Sequence, residues 1–131
     1  MQKIGVTELV AEAEAQIDTL TAEQVHEIFK DDDTLLIDLR DIRELWREGT
    51  IDGSYHAPRG MLEFWIADDS PYTKKQFQQD RQFIFFCAAG SRSALAGAVA
   101  KRLGLERVAH MGGGFSSWTE AGFAVVEKEK K

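Results

Sequence analysis

Apolar positions recur along the chain with two different periods, and the alternation between them outlines a fold. Val6, Leu9, Val10, Ala13 and Ile17 stand at helical spacing, which predicts an amphipathic first helix capped by Thr7 and ending near Gln16. Its stripe has two possible destinations, the domain's own sheet or a dimer contact, and covering the core is the commoner use of such a helix. Thr21-Ala22-Glu23-Gln24, with Leu20 before it and Val25 after it, has the form of a capping box with a hydrophobic staple and starts a second helix over 22–29. The aspartates at 31–33 mark a solvated turn, because consecutive carboxylates diverge and the spacing of a calcium loop is absent.

Thr34–Leu39 is then a continuous apolar run of strand length, the mark of a strand buried on both faces of a parallel sheet. Asp41 with Glu44 starts another helix and Gly49 stops it; Gly53, Pro58 and Gly60 punctuate a loop around a short Tyr55–Ala57 strand. Gly60–Ile66 reads as helical, and Ser70-Pro71 has the form of a helix cap followed by its first residue. Gln82–Phe86 is the clearest strand, Ser93–Leu103 a close-packed helix ended by Gly104, and Arg107–Met111 a further strand before Gly112-Gly113-Gly114. This order, without internal repeat or linker, predicts an α/β domain with a mostly parallel central sheet. Glu127–Lys131 reads as a frayed, solvated tail.

Composition narrows the function. A chain of 131 residues, 44% hydrophobic, has room for one core and one domain. Its 16 basic against 22 acidic residues leave a net charge of −6, which repels phosphate backbones, so no nucleic-acid partner is expected. No apolar run approaches the roughly 20 residues of a membrane span, and Met1–Gly5 lacks a signal pattern; the expectation is a cytoplasmic protein with no membrane partner. The single cysteine excludes an intrachain disulfide, a CxxC pair and a Cys-rich zinc site, and no metal or cofactor is expected.

That cysteine stands where chemistry is concentrated. Cys87 leaves the strongest strand and enters Ala88-Ala89-Gly90-Ser91-Arg92-Ser93, a turn that leads into a helix at the ligand edge of a parallel sheet. Backbone N–H groups in such a turn stabilise an anion, and the helix dipole and Arg92 act in the same direction, which favours a thiolate. A free cysteine is more often a core filler, but Gly, Arg and two Ser within six residues tip the balance to a reactive sulfur. Arg92 near a helix start opposes the dipole, so an anionic partner is expected to compensate it.

The loop resembles the C-x-x-G-x-R-S signature of the rhodanese-like sulfurtransferases. Ile37-Asp38-Leu39-Arg40 with Glu44, then Gly49–Ser54 and Pro58, are similar to the family's N-terminal signature. Gly112–Phe115 with Trp118, Ala121–Phe123 and Val125 are similar to its C-terminal one. The resemblance implies a rhodanese-like three-layer α/β fold over 18–126, with 1–17 as an N-terminal helical extension and 127–131 as a charged tail. It also implies ping-pong transfer: the Cys87 thiolate takes the outer sulfur of a small anionic donor such as thiosulfate, and the persulfide passes it to a thiophilic acceptor such as cyanide or a thiol. A sulfur-relay role with protein partners is the alternative it leaves open. Ala88 to Ser93 are expected to cradle the persulfide, Arg92 to pair with the donor's sulfonate, and Arg59 to be a second candidate for that end. Asp38, Arg40 and Glu44 are assigned to one bracing charge network, and His56 and His110 to structure, since an already acidic thiol demands no general base. Two rivals remain: a rhodanese-related phosphatase, whose C-x5-R loop is one residue longer than the stretch from Cys87 to Arg92, and a non-catalytic regulatory domain.

Overall fold

A computed structural model describes residues 2–130; Met1 of the extension and Lys131 of the tail lie outside it. Five strands, β1 (Asp18–Leu20), β2 (Thr34–Asp38), β3 (Tyr55–His56), β4 (Gln82–Phe86) and β5 (Val108–Met111), form one sheet in the order β1-β5-β4-β2-β3. Every pairing is parallel, with Ile37 opposite Phe85 and Phe85 opposite His110 across the centre. All five strand ends that carry loops into the site therefore lie on one edge.

The residues of β2 and β4 divide between two cores because successive side chains point to opposite faces. Leu35, Ile37, Phe83 and Phe85 pack with Leu62, Ile66, Ala96 and Ala100; Leu36, Ile84 and Phe86 pack with Val25, Phe115 and Trp118. The first layer holds α4 (Leu62–Ile66) and α5 (Ser91–Arg102), the second α2 (Ala22–Ile28) and α6 (Gly114–Glu120), which completes a three-layer α/β domain.

Local sequence chemistry accounts for several boundaries. Both capping boxes form: Thr21 Oγ1 accepts from Gln24 N at the start of α2, and Glu44 Oε2 accepts from Asp41 N at the start of α3 (Ile42–Glu48). Other expectations are corrected. The first helix, α1 (Val6–Glu14), begins after Gly5, so Thr7 lies within it and caps nothing; Ile17 falls beyond its end. It packs mainly against α5, which already occupies that layer of the sheet, and just past its end Ile17 lies close enough to α5 that a Cβ added at Gly97 would meet Ile17 Cδ1 at 2.5 Å. Ser70-Pro71 starts no helix: Ser70 Oγ accepts from Tyr72 N in a tight turn, and the next helical residues are a 3₁₀ turn at Lys75–Gln78. The triple glycine, read as a strand stop, also opens α6.

At the C-terminus, Val126 pairs antiparallel with Thr50. Residues 127–130 are exposed, and the Lys130 ammonium lies 5.2 Å from the centre of the Trp46 ring. Among the described residues no helix is long and apolar enough to cross a membrane.

Candidate active site

The site forms where β4 ends. Cys87 is 1% exposed, and its Sγ accepts hydrogen bonds from Gly90 N at 3.1 Å and Ser93 N at 3.4 Å. The turn closes around the sulfur because Gly90 adopts a φ of 113°, a conformation L side chains rarely take, just before α5 begins. The outer wall of the turn is held by α6: Phe115 N donates to Cys87 O at 2.8 Å and Ser116 N to Ala88 O at 3.0 Å. That close approach needs Gly114, whose φ is 58° and whose added Cβ would overlap Cys87 O and lie 2.8 Å from the Ala88 carbonyl. The first turn of one helix thus supports the loop that enters another.

Arg92 has the anionic partner its helix position called for. Its Nη1 and Nη2 donate to the two carboxylate oxygens of Glu44, both at 3.0 Å. The fork holds the Glu44 carboxyl below the usual carboxylate range, with Arg92 the leading cause, and raises Arg92 in return. This divides the single charge network expected for Asp38, Arg40 and Glu44. Asp38 and Arg40, both fully buried, form their own pair: Arg40 Nε and Nη2 donate to Asp38 at 3.0 and 2.8 Å. Thr50 Oγ1 adds a bond to Asp38 at 2.7 Å, Arg40 Nη2 reaches Gly49 O at 2.8 Å, and the guanidinium lies 4.0 Å from the Phe115 ring centre. Every buried side-chain nitrogen and oxygen among the described residues has a partner. This pair joins β2, the loop after α3 and α6, so it braces the site without touching the sulfur.

Arg59 lies at the carboxyl edge of the sheet, its backbone N donating to Leu39 O at 3.2 Å just beyond β2. Its Nη1 donates to Glu63 Oε1 at 2.8 Å, and it borders a groove with Leu9, Leu95 and Val99 of α1 and α5. No hydrogen bond or ion pair joins it to the Cys87 loop among the described residues. His56 Nε2 lies 2.7 Å from Arg40 O.

His110 links the Cys87 turn to the first helix and strand. It is fully buried in β5, with Nδ1 2.9 Å from Ser93 Oγ, and Ser93 Oγ lies 3.6 Å from Cys87 Sγ. On the other side Nε2 is 3.1 Å from both Glu14 Oε2 and Thr19 Oγ1. Burial lowers the imidazole below its ordinary value of 6.5, against the opposing pull of Glu14. The only sequence signal for this contact was a polar residue inside an otherwise apolar strand; its partners come from α1, β1 and α5.

The sequence matches the rhodanese-like domain over residues 21–121. The chain belongs to the rhodanese-like family. Among solved structures similar to this rhodanese-like chain is a protein of unknown function from Rhodopseudomonas palustris CGA009, described as a possible tyrosine phosphatase. It is 44% identical, with a TM-score of 0.89 over 96% of this chain and 98% of that one. The polysulfide-sulfur transferase homodimer of Wolinella succinogenes is 25% identical, with a TM-score of 0.74 over 94% of this chain and 88% of that one. A probable adenylyltransferase/sulfurtransferase, MoeZ, of Mycobacterium tuberculosis is 33% identical over 65% of this chain, which spans 20% of that protein's length. The family and these sulfurtransferase relatives support sulfur transfer in general.

Proposed function

We propose that the protein is a rhodanese-type thiosulfate sulfurtransferase that carries sulfane sulfur as a persulfide on Cys87. The observation that carries this reading is the Cys87 turn itself, with the Gly90 and Ser93 N–H groups directed at the sulfur. Donors fixed in a buried turn stabilise negative charge on sulfur at no reorganisation cost, which serves both the attacking thiolate and the persulfide. The thiolate attacks the outer sulfur of thiosulfate, the S–S bond of the donor breaks, and sulfite leaves with its electron pair. A thiophilic acceptor, cyanide or a thiol, then attacks the outer sulfur of the persulfide and releases Cys87 as thiolate. No second thiol in the chain resolves the persulfide, so the acceptor is external.

The Arg92 guanidinium lies beside the loop and serves the sulfonate end of the donor, with Glu44 holding it in place until a more strongly anionic group arrives. Ala88 and Ala89 place only small side chains around the buried sulfur. A partner protein acting as donor or acceptor uses the same persulfide.

The likeness to a possible tyrosine phosphatase keeps a phosphatase as the second reading. Only four residues separate Cys87 from Arg92, a ring too small to wrap a phosphate's three terminal oxygens. Incubation with thiosulfate, read by intact-protein mass, is expected to add one sulfur atom that is absent from Cys87→Ser, with thiocyanate produced when cyanide is supplied. An unmodified protein that instead hydrolyses an aryl phosphate would replace this reading with the phosphatase.

A further inference from the structure

Cys87, Ser93, His110 and Glu14 form a continuous chain of polar contacts, buried as far as the partly exposed Glu14, and its three titratable members come from well-separated parts of the sequence. We propose that Ser93 and His110 form a proton relay for Cys87, completed by Glu14 of the N-terminal helix. Ser93, which touches the reacting sulfur, is the catalytic member; His110 and Glu14 act through it as positioning residues. The inference rests on Cys87 being the sulfur carrier, but its geometry is independent of which donor is used.

The tautomer follows from the partners. Glu14, when ionised, only accepts hydrogen bonds, so His110 Nε2 bears the proton and shares it between Glu14 Oε2 and Thr19 Oγ1, each at 3.1 Å. Nδ1 is then a free acceptor 2.9 Å from Ser93 Oγ, the nearer of the two acceptors for its single hydroxyl proton, Gly90 O lying at 3.1 Å. Burial disfavours the imidazolium and keeps the resting ring neutral, so the proton is held there only with the Glu14 carboxylate and the Cys87 thiolate to balance it. In the forward step the Cys87 S–H proton moves to Ser93 Oγ as the Ser93 O–H proton moves to His110 Nδ1. The products are a Cys87 thiolate and an imidazolium, with no net gain or loss of protons. Ser93 now accepts from Nδ1–H and donates to the thiolate, while Gly90 N and Ser93 N remain directed at it. When an acceptor later takes the outer sulfur, the persulfide S–S bond breaks, its electron pair stays on Cys87, and the proton can return by the same path.

The surrounding charges single out Glu14 as the group that balances the imidazolium. From α5, Arg92 is neutralised by Glu44 of α3; from β2, Asp38 is neutralised by Arg40. On the far side of the ring the carboxylate that remains is Glu14, with its side chain 42% exposed, and Thr19 of β1 is uncharged. Glu14 lies outside the 21–121 family match, which gives α1 a chemical role as well as a packing one.

The test reads Cys87 ionisation directly, by the ultraviolet absorbance of the thiolate against pH, with Cys87→Ser as the blank that removes tyrosine ionisation. Replacing His110 by Asn is expected to move the thiolate titration alkaline by about one pH unit, or tenfold in proton affinity. Ser93→Ala should do the same, and Glu14→Gln should move it by several tenths, whereas Glu8→Gln on the same helix leaves it in place. Reciprocally, the His110 imidazole titration followed by NMR should move acidic in Cys87→Ser, because coupling between two sites is mutual. Glu14 is partly exposed, so Glu14→Gln keeps the proposal falsifiable if the core variants unfold. Superimposable thiolate curves for wild type and Glu14→Gln, with an unmoved imidazole titration in Cys87→Ser, would overturn the relay. Because none of these measurements uses a sulfur donor, failure to form a persulfide leaves them standing as a separate result.

Discussion

Gly114 offers a quantitative test of how α6 supports the active loop. Its backbone is left-handed, with φ 58°, and an added Cβ would overlap the Cys87 carbonyl and meet the Ala88 carbonyl carbon and oxygen at 2.8 Å. Gly122 provides the internal comparison, since it is also left-handed, with φ 82°, yet has open space where a Cβ would go. Gly122→Ala should therefore cost only the left-handed backbone term, roughly 1–2 kcal/mol. Gly114→Ala carries that term and a steric one against backbone that cannot rotate away, about 1–3 kcal/mol more. Alanine's smaller unfolded-state entropy stabilises both variants alike and cancels in the comparison. Urea unfolding at neutral pH reads the difference as a lower midpoint for Gly114→Ala. At temperatures where both are folded, Gly114→Ala should also lose more sulfur transfer, because the Phe115 and Ser116 N–H bonds to the loop are displaced. Equal stability losses in the two variants would refute the claim that the close approach, and not the backbone conformation alone, sets the requirement for glycine.

Arg40→Leu should cost about 3–5 kcal/mol in denaturant titration because it leaves the Asp38 carboxylate buried and unpaired; replacing both partners by apolar residues should recover part of the loss, and an unchanged midpoint for the single variant would contradict the bracing role. Glu44→Gln removes negative charge beside the loop and frees Arg92, so the KM for thiosulfate should fall several-fold, an outcome that steady-state kinetics checks and a raised KM would oppose. Because burial lowers His110 below its ordinary value of 6.5, the unfolded chain binds the proton first, and stability should decline as pH falls from about 6.5 toward the folded value. His110→Asn should flatten that part of the pH–stability curve, and an identical curve would show that the imidazole does not titrate differently on folding.

Where local rules suffice, the sequence is read correctly. Thr21 with Gln24 and Asp41 with Glu44 make their capping boxes within one helical turn, and the apolar runs 34–39 and 82–86 form the central strands. Where the deciding contact is remote, it is not. β1 has only three residues, Asp18 and Thr19 exposed, so no period announces it; it is a strand because β5 supplies its partner. Ser70-Pro71 satisfies the local signature of a helix start but no apolar face follows to bury it, and the segment closes as a turn.

The sequence by itself determined the family, the position of Cys87 at the end of a buried strand, and the need for a counter-ion to Arg92, because each follows from short-range pattern or from matched motifs. Tertiary structure alone decided the identity of that counter-ion: Glu44, which chain proximity grouped with Asp38 and Arg40, reaches Arg92 across 48 positions. It also turned His110 from an isolated polar residue into the link between Ser93 and Glu14, a residue 96 positions away. The physical reason is common to both. A charged or titratable side chain acquires its protonation state and partner from desolvation and from groups within a few ångströms, and a parallel sheet brings those groups together from segments that are far apart in the chain.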